Sequence, residues 1–210
     1  MNRFWQNIKD STKGMSMRQK AEYVLTYYWY HILGVCAALG LVIFLIVHFA
    51  FPAKQPLFSC ALVNQQIDYD RDEKLGKMFA ESAGISGEQV VIDSDYNISY
   101  LGHELQDSND SSFDKFFIKW SNEGFDAIVM TEDFLSYCVS VGAEFYPVDS
   151  FETDGLSLYH NGDASGIEIT GTVLSGYLNM PEDGSLLLVF PVEGKNREVC
   201  QEFIDFIKEQ

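Results

Sequence analysis

One apolar stretch near the N-terminus dominates the hydrophobic pattern of the chain. Residues 32–47 carry no charged or strongly polar side chain, and apolar and aromatic flanks extend the region over residues 27–51. About 20 apolar residues span a bilayer core, and aromatic rings at both ends prefer the headgroup level. Proline at position 52 cannot continue a helix. The pattern predicts a transmembrane helix over residues 27–51, followed by a linker over residues 52–56.

The segment before this stretch is basic, with five basic and two acidic side chains among residues 1–26. Because positive charge favours the cytoplasmic side of a membrane, the N-terminus is expected inside the cell and residues 57–210 outside. Ser16 is expected to cap a helix that runs to Tyr30 and straight on into the membrane.

A cleaved signal peptide is the alternative for this region. Signal peptides have a shorter basic segment, a shorter apolar segment and a small-x-small cleavage pattern, which residues 50–53 lack. The sequence therefore favours a single-pass membrane anchor.

Short apolar runs alternate with amphipathic segments in the first part of the outer domain. This alternation is typical of a parallel sheet with helices packed on its faces. The predicted strands are residues 57–63, 90–92 and 126–130, each followed by a predicted helix at residues 71–83, 111–122 and 133–141.

The later part predicts a strand pair at residues 156–159 and 167–169, a short helix at 172–178, a central strand at 186–190 and a final helix at 198–208. The fold class is therefore α/β, with a mixed, mainly parallel sheet and helices on both faces.

Two segments of this domain resemble a known family. Asp126-Ala-Ile-Val-Met130 leads through a short helix to Phe145-Tyr-Pro-Val-Asp149, and Phe190-Pro-Val-Glu-Gly-Lys-Asn196 leads to a helix that contains Phe203-Ile-Asp-Phe206. Both are similar to segments of the extracellular solute-binding proteins of ABC importers. Gly166-Ile-Glu-Ile169 fits the same family.

The resemblance implies one lobe of a solute-binding protein. Members of that family grip their ligand between two lobes, whereas only about 35 residues separate Asp149 from Leu186 here. A second lobe does not fit in that length, so a closing clamp is not expected. The aromatic Tyr-Tyr-x-Tyr helix before such a domain is also similar to membrane-anchored surface proteins of Gram-positive anaerobes, which implies no function.

Ligands of parallel α/β sheets bind at the carboxyl ends of the strands. Polar side chains follow each of the first three predicted strands, where they are the candidate ligand-binding residues or ordinary loop residues. They are Asn64 and Gln65, Asp93 and Asp95, and Thr131 and Glu132.

Asp68, Asp70 and Asp72 have the spacing of a calcium-binding loop. Glu73 then replaces the glycine that such a loop requires, and Phe79 replaces its bidentate glutamate. The three aspartates are therefore candidate metal ligands, with a solvated turn and favourable charges at a helix N-terminus as the alternative.

Three cysteines lie in the outer domain, each within an apolar run: Cys60, Cys138 and Cys200. None has zinc-binding or Cys-x-x-Cys spacing. They are expected to be buried free thiols, with a Cys60–Cys200 or a Cys60–Cys138 disulfide as the alternative.

Charge and motifs limit the functions that the outer domain can have. Residues 27–210 carry a net charge of −20, which repels nucleic acid and attracts cations or basic partners, and which also serves solubility. No nucleophile motif or phosphate-binding glycine loop is present, so neither catalysis nor a cofactor is expected. The sequence predicts a membrane-tethered extracellular binding or interaction domain of unknown partner, which works beside other membrane or envelope components. The alternative is a small-molecule or cation sensor, or an accessory solute-binding subunit of a transporter.

Overall fold

The computed structural model describes the chain at residues 6, 10–50, 56–100, 110–122, 124–162, 164–181 and 184–208. The chain divides into two compact units, Met1–Lys54 and Gln55–Gln210. Most of the predicted linker and the start of the basic segment lie outside the described residues.

The first unit contains helix α1, Met17–Ala50. Its start is a capping box, in which the Ser16 amide donates to Gln19 Oε1 at 3.0 Å and the Gln19 amide donates to Ser16 Oγ at 3.4 Å. This reciprocal pair satisfies two backbone donors that the helix itself leaves without partners. The prediction that Ser16 caps this helix is confirmed.

Helix α1 bends at Tyr28, whose φ of −121° and ψ of 15° are not helical. Two residues earlier, Thr26 Oγ1 donates to the backbone carbonyl of Glu22 at 2.8 Å. A hydroxyl that bonds four residues back competes with the helical hydrogen bonds and often bends the helix. The predicted helix after Ser16 therefore does lead directly into the apolar stretch, but with a bend at Tyr28.

The apolar part of α1 is Leu25–Val47, with 23 residues and a mean hydropathy of 2.5. None of its most apolar window is buried within the protein. By length and composition this segment can cross a membrane, properties that an N-terminal signal sequence shares.

The described residues of the second unit form a six-stranded sheet with the order β2-β1-β3-β6-β5-β4, together with the helices that pack on it. Its strands are β1 Phe58–Leu62, β2 Val90–Asp93, β3 Ala127–Thr131, β4 Leu158–Asn161, β5 Ala164–Glu168 and β6 Leu186–Val189. Its α-helices are α2 Tyr69–Ala83, α3 Asp110–Ser121, α4 Glu132–Ser140 and α5 Arg197–Lys208, and 3₁₀-helices span Gly87–Gln89, Val148–Ser150 and Val173–Gly176. The predicted helix at residues 172–178 is thus a 3₁₀-helix.

The sheet is mixed, as predicted, but it is not mainly parallel. β1 pairs in parallel with β2 and β3, whereas the β3–β6, β5–β6 and β4–β5 pairs are antiparallel. Parallel neighbours need a long crossover, usually a helix. No α-helix occurs between α4 and β6 among the described residues, and only two positions in the sequence separate β4 from β5. The predicted central position of the strand at residues 186–190 is confirmed.

Each face of the sheet packs against a pair of helices. Alternate residues of β1 divide between the faces, since Phe58 and Cys60 belong to one core and Ala61 belongs to the other. Helices α2 and α5 cover the first face, where the rings of Phe58, Phe79 and Phe203 lie 4.8–4.9 Å apart. Helices α3 and α4 cover the second face.

Candidate functional site

The carboxyl ends of β2, β1 and β3 lie side by side, and the chain itself passes over them. After β2, residues 94–100 cross this edge of the sheet; we call them the crossing segment. The Asn64 amide after β1 donates to the Tyr96 carbonyl at 3.0 Å, and Tyr100 Oη lies 3.4 Å from Thr131 Oγ1 at the end of β3. The crossing segment thus covers the carboxyl ends of the strands from β2 to β3.

The Asn64 side chain holds the crossing segment. Asn64 Nδ2 donates to the Ile98 carbonyl at 3.1 Å, and the Ile98 amide donates to Asn64 Oδ1 at 2.7 Å. The backbone of Asn64 has a φ of 56°, a left-handed conformation that asparagine tolerates better than most residues. Both ends of the amide are therefore engaged within the protein.

The Gln65 side chain is also engaged within the protein. It is buried, its Nε2 donates to the Asn179 carbonyl at 3.3 Å, and its Oε1 accepts from the Asn179 amide at 2.8 Å. These bonds fix the loop that follows the 3₁₀-helix Val173–Gly176. Gln65, for which a ligand-binding role was predicted, thus joins the end of β1 to the loop at Asn179 through two hydrogen bonds.

Apolar side chains of the crossing segment fill the space beneath it. Tyr96 and Ile98 are fully buried, and the Tyr96 ring lies 5.5 Å from the Phe116 ring and 5.4 Å from the Phe125 ring. A ligand crevice at this place requires open volume between the strand ends and their loops. Here the second-face core occupies that volume.

The carboxylates of Asp93 and Asp95 both form ion pairs with Lys115, which lies in α3. Lys115 Nζ lies 2.7 Å from Asp95 Oδ2 and 3.8 Å from Asp93 Oδ2, and also 4.7 Å from the centre of the Tyr96 ring. Lys119 Nζ donates to Tyr96 Oη at 3.2 Å. Burial raises the pKa of Tyr96, with a further contribution from the Asp93 charge, and burial lowers the pKa of Lys119.

Thr131 and Glu132 stabilise the start of α4 and a nearby loop. Thr131 Oγ1 accepts from the Phe134 amide at 3.4 Å, which makes Thr131 the N-cap of the helix. Glu132 Oε1 accepts from the Ser185 amide at 3.0 Å. Burial raises the pKa of Tyr100, which lies beside Thr131. The structure thus brings the predicted residues to one edge but uses them there for internal bonds.

The three aspartates of the predicted metal site do not converge. Asp68 Oδ1 caps α2 by accepting from the Arg71 amide at 3.0 Å, and Asp70 is exposed. Asp72 is buried, and its Oδ2 accepts from the Ser94 amide at 2.9 Å and from Ser94 Oγ at 2.6 Å. Arg71 adds an ion pair of 2.8 Å to Asp72 Oδ1. Within the described ranges, no three acidic, histidine or cysteine side chains are grouped to hold a metal ion.

The cysteines are free thiols, so neither alternative disulfide is formed. Cys60 and Cys200 belong to the first-face core, whereas Cys138 belongs to the second, so a Cys60–Cys138 bridge would have to cross the sheet. Burial raises the pKa of Cys138 and of Cys200 to about 12, and it raises the pKa of Cys60 further. Thiols held in the protonated form are poor nucleophiles.

Sequence reasoning missed a groove at the edge of the sheet. The groove has a volume of about 540 Å³ and lies between α2 and β2, with Gly76, Lys77, Glu88 and Val91 among its lining residues. β2 is one of the two edge strands of the sheet in the described residues, and edge strands can pair with extended polypeptide. Strand order decides which strand is outermost, and no local pattern in the sequence signals that order.

Asp126 is a second feature whose role the sequence did not indicate. Its buried carboxylate accepts from the Ser59 amide at 2.9 Å, from the Lys195 amide at 2.9 Å and from the Asn196 amide at 3.0 Å. The side chain therefore ties the start of β3 to β1 and to the loop before α5. This is a structural role at the position that carried part of the resemblance to solute-binding proteins.

Comparison with protein-family models, with curated proteins and with solved structures finds no match to this chain.

Proposed function

We propose that the apolar part of α1 anchors the chain in the cell membrane, and that the second unit is an extracellular domain that binds an envelope or membrane protein and is not catalytic. The observation that carries the proposal is the crossing segment, which fills the edge of the sheet where a small ligand would otherwise bind.

The distribution of charge supports the anchor and its direction. Five basic and two acidic side chains precede the apolar stretch, whereas residues 27–210 carry a net charge of −20. Short basic segments stay on the cytoplasmic side of a membrane. The second unit is therefore assigned to the outside of the cell.

The bonding at the strand ends supports a protein partner over a small ligand. Asn64 and Gln65 each bond both ends of their amide to the backbone of another segment. A small ligand would have to replace these bonds and also displace the buried Tyr96 ring. Binding of a protein uses exterior surface and requires neither change.

The alternative is a sensor of a small molecule or cation, or an accessory solute-binding subunit of a transporter. Two observations favour it: the acidity of the second unit and its likeness to a solute-binding lobe. The predicted aspartate loop is the place where a cation would act, through its exposed carboxylates Asp68 and Asp70.

Photo-crosslinking in native membranes tests the proposal. A photoreactive amino acid replaces one exposed side chain at a time in the full chain: Tyr69 beside the groove, Ile118 on α3 or Val141 after α4. We expect a discrete adduct from one site and none from the others, because a specific partner covers one face. The absence of an adduct from all three sites contradicts the proposal.

Thermal unfolding of the full chain in detergent separates the alternatives. A ligand at about 100 times its Kd stabilises a protein by about 2.7 kcal/mol. We expect no such increase from metabolites, sugars or divalent cations. An increase with an organic ligand supports the sensor. An increase with calcium that disappears in Asp68→Asn and Asp70→Asn supports a cation sensor.

A further inference from the structure

The bend at Tyr28 divides α1 into residues 17–27, which we call the leading helix, and residues 29–50. The undivided helix of 34 residues would be about 51 Å long, whereas the hydrocarbon core of a bilayer is about 30 Å thick. Residues 29–50 alone make about 33 Å. The part after the bend is therefore long enough to span the core, and the leading helix is free to take another direction.

The bend lies among aromatic rings that mark the membrane surface. The Tyr23 ring lies 4.7 Å from the Tyr27 ring and 6.3 Å from the Tyr28 ring, and the Tyr30 and His31 rings are 4.2 Å apart. Amphipathic rings of this kind prefer the headgroup level. The change of direction thus occurs at the depth where a helix can leave the core and lie along the interface.

The surface of the leading helix matches that position. Met17, Ala21 and Leu25 follow one another at intervals of four residues and form one face, and Met17 and Leu25 are 83% and 61% exposed. At about 100° per residue, Arg18 lies on one side of this face and Lys20 on the other. Long basic side chains that flank an apolar face place their stems beside it and their charges in the headgroup layer.

We propose that the leading helix lies in the inner surface of the membrane and that Arg18 and Lys20 bind the phosphate groups of anionic phospholipids. The proposal rests on the membrane anchoring proposed above but not on the protein partner of the second unit. The two cations carry the charge that anionic headgroups attract, and basic side chains near such a surface strengthen binding to it. At about 100° per residue, Glu22 lies next to Arg18, about as far from the middle of the apolar face as Lys20 is on the other side.

Spin labels on single cysteines test the position of the leading helix. The full chain with Cys36→Ser leaves three cysteines, all buried, so a label attaches at a new exposed cysteine. Leu25→Cys places the label on the apolar face, and Gln19→Cys places it on the opposite side as the matched control. In vesicles that contain phosphatidylglycerol, we expect the label at position 25 to be accessible mainly to oxygen and the label at position 19 mainly to a water-soluble nickel complex. We call the difference between the two positions in the ratio of oxygen to nickel accessibility the contrast, and we expect it to be several-fold.

The basic residues have their own test. Arg18→Gln with Lys20→Gln is expected to lower that contrast several-fold, whereas the charge-preserving pair Arg18→Lys with Lys20→Arg is expected to retain it. Vesicles of phosphatidylcholine alone should give a lower contrast than vesicles with phosphatidylglycerol. Equal contrast in both lipids overturns the assignment of anionic lipid, and water exposure at both labelled positions overturns the interfacial helix.

Vesicle flotation of the same samples at alkaline pH distinguishes the two proposals. A chain that fails to float contradicts the membrane anchor itself. A chain that floats while both labels remain in water contradicts only the interfacial position of the leading helix.

Discussion

Asn64 and Ile98 are joined by a pair of hydrogen bonds, in which the side-chain amide of Asn64 both donates to and accepts from the peptide backbone at Ile98, at 3.1 Å and 2.7 Å. Through this pair, the residue that ends the first strand holds the crossing segment over the strand ends. The same residue adopts a left-handed backbone with a φ of 56°. A residue that the sequence predicts to bind a ligand therefore bonds to the backbone of its own chain.

Asn64→Ala removes both hydrogen bonds and puts alanine, which tolerates a left-handed backbone less well than asparagine does, at a φ of 56°. We expect a loss of about 2–3 kcal/mol in the free energy of unfolding, measured with urea on the full chain in detergent. Asn64→Gly is the matched control, because it loses the same bonds without the backbone cost and should be about 1 kcal/mol more stable than the alanine variant. Wild-type stability in Asn64→Ala would contradict a stabilising role for the two hydrogen bonds between Asn64 and Ile98.

Asp72→Ala should destabilise the protein far more than Asp70→Ala, although both residues lie in the first turn of α2. Asp72 is buried against Arg71 and Ser94, so its removal leaves a buried cation without its partner, at a cost of about 3 kcal/mol. Asp70 is exposed, and its replacement should change stability by about 0.5 kcal/mol or less. Urea unfolding of the two variants side by side measures the difference. Equal effects would contradict the buried network.

The elements of the second unit could be predicted from local patterns because each pattern reports a local preference. The apolar run at residues 186–190 predicted a central strand, and β6 lies between β3 and β5. The direction of pairing was predicted less well. The alternation of strands and helices stops after α4, and the antiparallel half of the sheet follows from that change.

The roles of the candidate site residues could not be predicted, because their partners are distant in the sequence. Asn64 bonds a residue 34 positions away, and Gln65 bonds one 114 positions away. A polar residue after a strand looks the same whether it faces a ligand or another segment of its own chain. Only the position of the crossing segment distinguishes these two roles.

Gly166→Ala should destabilise the sheet, because β5 packs closely against β6 at this residue. A β-carbon on Gly166 would lie 3.1 Å from Leu187 Cβ and 3.1 Å from Val189 Cγ1, which is closer than side chains normally pack. Overpacking of this kind costs about 1–3 kcal/mol. Gly176→Ala is the control, since no atom lies within 4 Å of its added carbon. Thermal unfolding should show a lower Tm for Gly166→Ala alone, and an unchanged Tm would contradict the close approach.

The pH dependence of stability should reveal the buried thiol of Cys138. Its folded-state pKa is raised to about 12, so its contribution is fully present below the unfolded pKa of about 8.5 and is lost as the pH rises above that value. In the window from about pH 9 to 11, the unfolded chain releases a proton that the folded chain retains. Each such thiol lowers the free energy of unfolding by about 1.4 kcal/mol per pH unit.

Cys138→Ala should therefore flatten the fall of stability between about pH 9 and 11 by about 1.4 kcal/mol per pH unit, as measured by urea unfolding under reducing conditions. The pKa values of Tyr96 and Lys119 are shifted in the wild type and in the variant alike, so the contributions of these two residues to the slope cancel in the comparison. Leu135→Ala on the same helix is the control, because it also empties buried volume but removes no titrating group. It should lower stability at every pH and leave the slope unchanged. An unchanged slope in Cys138→Ala would show that this thiol is not held in its protonated form by burial.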